Sequence, residues 1–458
     1  MDGPECAVTT SYAEALAAIQ ARGRFGIRLG LGRTRALLRA LDHPEAGLRG
    51  ALVGGTNGKG SVLALAGSVL RAAGYRVGET PKPHLVTYRE RLQVDGHPID
   101  PASFADLVAE VLPLADRVAR RLGPPTEFEL LTAMVLAWFA RQGVQVALVE
   151  VGLGGRLDAT HAWDGGVAAI TNVALDHTDR LGPTISAIAR EKAAIIERGD
   201  RAVTGATGDA LAIVRRRARR LDVPLSVVEP APLMGWDRDS IVVELPRLGP
   251  TQVGLRGRHQ AANVAVADAL LDALEAAGTA VAPPEARRRG YREARWPGRL
   301  ELIERDGVEV LLDGAHNPAG AEALATALDD LRPYLAGGSG RRPPALTVMT
   351  ALLSDKDAGG VVAGLLGAGA LEGARIVCTT LPEPRALPGD DLAMRWRDLA
   401  ARTGRVVSVS VSATPGEALD TALRAAEGPI LVTGSLHLVG AVRARLVEDP
   451  ELADPDDT

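Results

Sequence analysis

The chain has 458 residues, past the size at which one hydrophobic core stops growing, so two domains are expected. With 46% hydrophobic and 24% charged residues it has a globular make-up, and a formal net charge of −5 argues against nucleic acid as the main partner. Cys6 and Cys378 are too few for a disulfide framework or a thiolate metal site, which fits a reducing compartment.

The N-terminus lacks a basic segment followed by an apolar core, and no apolar run approaches the roughly 20 residues that span a bilayer, so a cytoplasmic protein is expected. Residues 11 to 22 read as an amphipathic helix with Ala15, Leu16 and Ile19 on one side. IRLGLGRTRALLRAL (Ile27 to Leu41) reads as a glycine-broken turn and then a helix opened by Thr34. Gly30 and Gly32 either shape that turn or bring backbone close to a ligand, and spacing does not separate the two.

ALVGGTNGKGS (Ala51 to Ser61) is the stretch the chain is organised around. A short apolar run meets glycines and one lysine, and a helical pattern follows from Val62 to Ala73. In such a strand–loop–helix the N–H groups around Gly54, Gly55, Gly58 and Gly60 converge on phosphates, Lys59 adds a point charge and the helix N-terminus adds its dipole. The usual pattern places Ser or Thr directly after the lysine. Here Gly60 intervenes and Ser61 comes second, and a glycine-rich βα turn that binds nothing has the same spacing. Lysine usage favours the functional reading. Of 52 Lys plus Arg only four are lysine (Lys59, Lys82, Lys192 and Lys356), so lysine should persist where a compact ammonium or an amine does what a guanidinium cannot.

Arg76 to Glu79 reads as a strand, and in TPKPHL two prolines bracket Lys82 and exclude regular structure. Lys82 and His84 are therefore candidate ligand contacts on a loop near the phosphate loop. Pro101 or Ser103 opens a helix to Arg121. PTEFELLTAMVLAWFARQG is a second, strongly apolar one, and Thr126 with Glu129 forms a capping box that gives Glu129 a purely structural explanation.

Val144 to Val149 is a continuous apolar run, as in a parallel strand buried on both faces, and it ends in Glu150. A carboxylate at the C-terminal end of such a strand stands where open α/β sheets bind ligands, and beside a phosphate loop it suits magnesium. The arrangement repeats with a strand from Val167 to Thr171 and then Asp176 and His177. Lys192, on the next helix between Ala and Ile, loses charge on burial unless a carboxylate neighbours it or the amine is modified.

Short strands and turns from Arg201 to Pro250, including VVEL (Val242 to Leu245), are expected to finish the first sheet, and RRRARR (Arg215 to Arg220) to be a solvated helix face. Asn263 lies early in an Ala-rich helix. Trp296-Pro297-Gly298 is a rigid break, after which strand and helix patterns alternate again as a mostly parallel sheet. Asp313, His316, Asp355, Lys356, Ser435 and His437 fall just past strand ends. The fold class expected is α/β, with a P-loop-type N-terminal ATPase domain (1–297) and a smaller Rossmann-like C-terminal domain (298–458).

GTNGKGS, PHL with Glu90 and Arg91, TEFELLTA, EVGLGGRLDAT, DHTDRLG with EKA, HQAAN, PGRLE, DGAHNP, DKD and TGS occur in the order found in the folylpolyglutamate synthase / dihydrofolate synthase family of Mur-type amide ligases, which the chain resembles over roughly residues 12 to 446. The resemblance implies that ATP phosphorylates a substrate carboxylate and that the amine of L-glutamate attacks the acyl phosphate. Thr56, Asn57, Gly58, Lys59, Gly60 and Ser61 would then hold the triphosphate, with Asn263, Arg299 and Asp313 as further nucleotide contacts. Glu150, His177 and Ser61 would bind Mg2+, Lys192 looks like the family's carbamylated lysine, and His316 would lie near the acyl phosphate. The pterin-acid pocket would be lined by Leu29 to Arg33 (with Gly30), by Thr126, Phe128 and Glu129, and by Leu157, Asp158 and Ala159, with Lys82 and His84 beside it. A monomer acting on small molecules is implied.

Three positions depart from the family pattern: Lys82 replaces the serine of Ser-Pro-His, His161 an asparagine and Ala194 a glycine. An ammonium cannot ligate a cation. That metal position is lost, recruited from Ser61 or Thr80, or replaced by the charge of Lys82. Three functions stay open: a folate or dihydropteroate glutamate ligase, a specialised ligase for another acid, and a catalytically weakened ATP-binding regulator.

Overall fold

The computed structural model describes residues 11–26, 28–336 and 344–455, and statements of absence or number below refer to these. Cys6 and Ile27 lie outside them. The chain forms two compact units, one made of Met1–Val228, Val266–Pro283 and Pro450–Thr458, the other of Glu229–Ala265 and Pro284–Asp449.

The first unit is built on β1 (Gly50–Gly54), β2 (Val77–Thr80), β3 (Gln93–Val94), β4 (His97–Pro98), β5 (Val146–Glu150), β6 (Gly166–Ile170), β7 (Arg201–Thr204) and β8 (Leu225–Val227). Their spatial order is β4-β3-β2-β5-β1-β6-β7-β8, parallel from β2 to β8, with β3 and β4 antiparallel at one edge. Every residue of β1 and β5 is buried, as a strand covered by helices on both faces requires. The apolar helices Lys59–Ala72 and Glu127–Arg141 pack on this sheet, and Leu52, Leu130, Met134, Phe139 and Val149 share one core. Registers align Val53 with Glu150, Thr80 with Val149 and Gly54 with Ile170, so the C-terminal ends of β1, β2, β5 and β6 meet at one edge.

The expectation for Arg201 to Pro250 holds only in its first half. β7 and β8 do extend this sheet, but β9 (Leu233–Trp236), β10 (Ile241–Leu245) and β11 (Gly249–Val253) form a separate antiparallel sheet in the second unit. In IVVEL burial alternates, with Ile241, Val243 and Leu245 inside, which is the period of a half-exposed antiparallel strand rather than of a doubly covered one.

The second unit carries β12 (Glu301–Arg305), β13 (Val308–Leu312), β14 (Thr347–Thr350), β15 (Arg375–Thr379), β16 (Ser408–Ser412) and β17 (Ile430–Thr433) in the order β12-β13-β17-β14-β15-β16. All neighbours are parallel except β12, an antiparallel edge that the sequence pattern did not reveal. The arginine run lies on helix Gly208–Leu221 with Arg215, Arg216, Arg219 and Arg220 exposed, while Arg217 turns inward to the carbonyl of Ile196. No helix is long and apolar enough to cross a membrane.

Candidate active site

The loop between β1 and helix Lys59–Ala72 has one shape because its glycines allow it and the segment after β6 straps it down. Gly55 sits at φ 138°, and a Cβ there would stand 1.9 Å from Thr171 Oγ1; Gly58 caps the helix at φ 81°. Thr56 N–H donates to the Asn172 carbonyl (2.9 Å) and Asn57 N–H to Asn172 Oδ1 (3.0 Å). Thr171 Oγ1 in turn donates to the Asn57 carbonyl (2.6 Å), and Thr56 Oγ1 accepts from Ala174 N–H (3.0 Å). Thr56 to Ser61 are thus held as one piece at the N-terminus of a 14-residue helix, with Ser61 buried in its first turn.

Two lysines reach this loop. Lys59 Nζ donates to the Thr56 carbonyl (3.1 Å) and stands 3.7 Å from Glu150 Oε1. Lys192, buried on helix Ile185–Ala193, donates to the Gly55 carbonyl at 2.7 Å. Burial pushes the Lys192 ammonium down to about 7, the charge of Lys59 pushes the same way, and Asp176 and Asp158 oppose.

Glu150 joins the loop to its neighbour. Its Oε2 accepts from Lys82 N–H (2.9 Å), and its carbonyl accepts from Lys82 Nζ (2.5 Å). That ammonium also lies 5.0 Å from the centre of the Phe128 ring. Burial lowers Lys82 to about 8 against the pull of Asp158 and Glu150. Lys82, Arg91, Phe128, Thr80 and Thr160, with Leu131 and Val135 beneath, line one pocket. Thr80 Oγ1 is buried there without a hydrogen-bond partner, a hydroxyl ready for a ligand or water.

The other acid-pocket residues of the sequence reading are knitted around these. Gly30 N–H donates to the Leu157 carbonyl (3.2 Å), and half-exposed Leu29 adjoins that contact. Arg33 pairs with Glu129 (2.9 Å), whose Oε2 also accepts from Thr126 N–H, so Glu129 does cap its helix. Asp158 caps the turn Ala159–Ala162 and accepts from Leu153 N–H (2.7 Å), which shapes the loop after β5. His84 Nδ1 accepts from Arg91 Nε (2.9 Å), and its ring lies 4.3 Å from that of Tyr88. Arg91 is a pocket residue to which the sequence reading gave no role.

His177 starts the short helix Thr178–Leu181 in a left-handed conformation, its Nε2 3.9 Å from Asp176. No group of three or more His, Cys, Asp or Glu side chains is disposed to hold a metal. Magnesium needs no such cage, because it keeps waters and takes one or two protein oxygens beside phosphates. The Glu150 carboxylate and the Ser61 hydroxyl are donors of that kind, so the residues fit the ion.

The remaining residues of the sequence reading lie in the second unit. Asn263 Nδ2 donates to Gln260 Oε1 (2.7 Å) in the first turn of helix Gln260–Ala276. Asp313 follows β13 and accepts from the N–H groups of Leu300 (3.0 Å) and Ala315 (2.9 Å). Burial raises its pKa, while the charges of Arg299 and His259 oppose. Half-buried His259, its Nε2 3.2 Å from Gln260 Nε2, belongs to this group, although the HQAAN motif points only to Asn263. Arg299 donates to the Gly298 carbonyl (3.0 Å), and His316 Nδ1 lies 2.8 Å from the Gly314 carbonyl.

Residues 298–436 match the Mur ligase, glutamate ligase domain family. The dihydrofolate synthase/folylpolyglutamate synthase of Bacillus subtilis is 38% identical over 326 residues, which is 69% of this chain and 76% of that protein. The chain belongs to the folylpolyglutamate synthase/dihydrofolate synthase family of Mur-type ligases. The folylpolyglutamate synthase of Mycobacterium tuberculosis, solved with ADP and AMPPCP, superposes with a TM-score of 0.82 at 31% identity, covering 96% of this chain and all of that one. A probable bifunctional folylpolyglutamate synthase/dihydropteroate synthase of Halobacterium salinarum is 37% identical over 92% of this chain, which spans only 50% of that protein. Both units therefore follow the family's α/β architecture.

Proposed function

We propose that the protein is an ATP-dependent ligase that joins the carboxylate of dihydropteroate or a folate to the amine of L-glutamate, releasing ADP and phosphate. The observation that carries this reading is the junction at Glu150. One carboxylate at the end of β5 faces the phosphate-loop lysine on one side and, through Lys82, adjoins a Phe128-walled pocket on the other. In this reading phosphoryl donor and acceptor acid take adjoining places.

In the reaction a carboxylate oxygen of the acid attacks the γ-phosphorus, the bond to ADP breaks, and an acyl phosphate forms. The amine of glutamate then attacks the acyl carbon, loses a proton, and phosphate leaves. The loop N–H groups and Lys59 bind the phosphates, and the Lys59 charge offsets that gathering on the transferring oxygens. Magnesium, when held by Glu150, Ser61 and His177, supplies further charge neutralisation there. Carbamylated Lys192 is a fourth ligand in this reading, through a carbamate oxygen. Phe128, Leu29, Gly30 and the loop Leu157–Ala159 take the pterin, and the enzyme works as a cytoplasmic monomer.

Phosphate release with dihydropteroate, reduced folates and unrelated aryl acids, each with and without glutamate, tests this. Release that requires both a pterin acid and glutamate is expected. Release only with other acids, or none, would replace the reading by one of its two competitors.

Lys82 yields a separate expectation. Its ammonium stands 2.5 Å from the Glu150 carbonyl and repels a cation at that residue, so Lys82→Ser, which removes the charge and adds a hydroxyl oxygen, should lower the magnesium concentration for half-maximal turnover severalfold. An unchanged magnesium titration would remove that role.

A further inference from the structure

The chain returns to the first unit at Pro450, and its last described residues are tied down by side chains that no step of the reaction uses. Arg89 is 3% exposed. Its Nε donates to Asp454 Oδ1 (3.1 Å), Nη2 to the Ala453 carbonyl (2.9 Å) and Nη1 to the Ile99 carbonyl (3.2 Å), and its guanidinium lies 5.8 Å from the centre of the Tyr12 ring. Thr87 Oγ1 donates to the same Asp454 oxygen at 2.7 Å.

A hydroxyl has one proton, and Asp454 receives it. The lone pairs of Thr87 Oγ1 are thereby directed to its other two neighbours, Arg89 N–H (3.3 Å) and Tyr12 OH (3.3 Å), with Tyr12 as the donor. Thr87 is also the N-cap of the turn Tyr88–Arg91, and the third residue of that turn, Glu90, accepts from the N–H groups of Leu85 (3.1 Å), Val86 (2.6 Å) and Thr87 (2.8 Å). The turn ends in Arg91, which holds His84 and lines the pocket.

Hydrogen bonds from the tail thus reach Thr87, Arg89 and, through Glu90, the backbone of Leu85, and the chain itself carries the connection on to His84 and Arg91 at the pocket wall. The first link is charge-assisted and part-buried, with Arg89 enclosed and Asp454 reaching it from the exposed tail. We propose that Asp454 is a positioning residue for the acid substrate: the returning tail fixes Thr87 and Arg89, and through them the turn that sets His84 and Arg91. The role in substrate binding rests on the pterin-acid reading of the pocket; the bracing of the turn does not.

The test is hydrogen–deuterium exchange of the intact protein without substrate, joined to steady-state kinetics, for Asp454→Ala, Asp454→Asn and a surface control, Asp398→Ala, whose partner pair is exposed. Exchange across residues 84–92 should quicken about tenfold in Asp454→Ala, less in Asp454→Asn, which keeps an acceptor oxygen, and not at all in the control. The KM for the pterin acid should rise severalfold in the same order while the KM for ATP stays put. Unchanged exchange in 84–92, quickening spread over the whole first unit with a matching rise in the ATP KM, or local quickening with an unchanged acid KM would each overturn the proposal. A wild-type protein that turns over no pterin acid defeats the functional reading alone, because the exchange arm needs no substrate.

Discussion

Changing Lys192 to arginine is expected to lower kcat by about two to three orders of magnitude, although the positive charge is kept. The amine is buried, 2.7 Å from the Gly55 carbonyl, and burial holds its pKa near 7. A lysine whose pKa is depressed sheds its proton as pH rises through about 7, and the neutral amine above that value can add carbon dioxide. The N–C bond forms, the proton leaves, and an anionic carbamate remains. Arginine stays a cation throughout and forms no carbamate. Wild-type kcat should therefore climb between about pH 6 and 8, one unit either side of that pKa, and bicarbonate should flatten the climb. Carbon-isotope NMR after incubation with labelled bicarbonate should show a carbamate signal in the wild type and none in Lys192→Arg. Near-normal turnover by the arginine variant would remove this role.

Glu150→Gln should cost on the order of a hundredfold in kcat/KM and weaken magnesium-dependent ADP binding by a similar factor. The amide keeps one oxygen but loses the charge that offsets Lys59 at 3.7 Å. If its nitrogen takes the place of Oε2, a donor faces the N–H of Lys82 at 2.9 Å. Titration calorimetry of ADP with and without magnesium reads the effect directly. Equal binding in variant and wild type would place the cation elsewhere.

Much of the first unit is legible because its signals are local. The run Val146–Glu150 announces a doubly buried strand, and the glycines with Lys59 announce the loop that follows β1. Four lysines against an arginine background mark Lys59, Lys82 and Lys192, and the structure brings two of them to the phosphate loop and the third to Glu150. What stayed hidden depends on distant partners. Thr171 and Asn172 follow a strand as unremarkable polar residues, yet they hold the phosphate loop from more than a hundred residues away. Arg91 becomes a pocket residue only because its turn is capped by Thr87 and braced by Asp454. The alternating burial of IVVEL is masked in the sequence by apolar Val242, and the chain's turn into another sheet leaves no local sign.

Transfer of a heavy oxygen label tests the chemistry most directly. If the acid's carboxylate attacks ATP, a pterin acid labelled in both carboxylate oxygens must deliver one labelled atom to each inorganic phosphate released, and the product amide must keep the other. Phosphate free of label, or one labelled atom found in AMP, would contradict the acyl-phosphate route and with it the parts that Lys59, Glu150 and Lys192 play in that route.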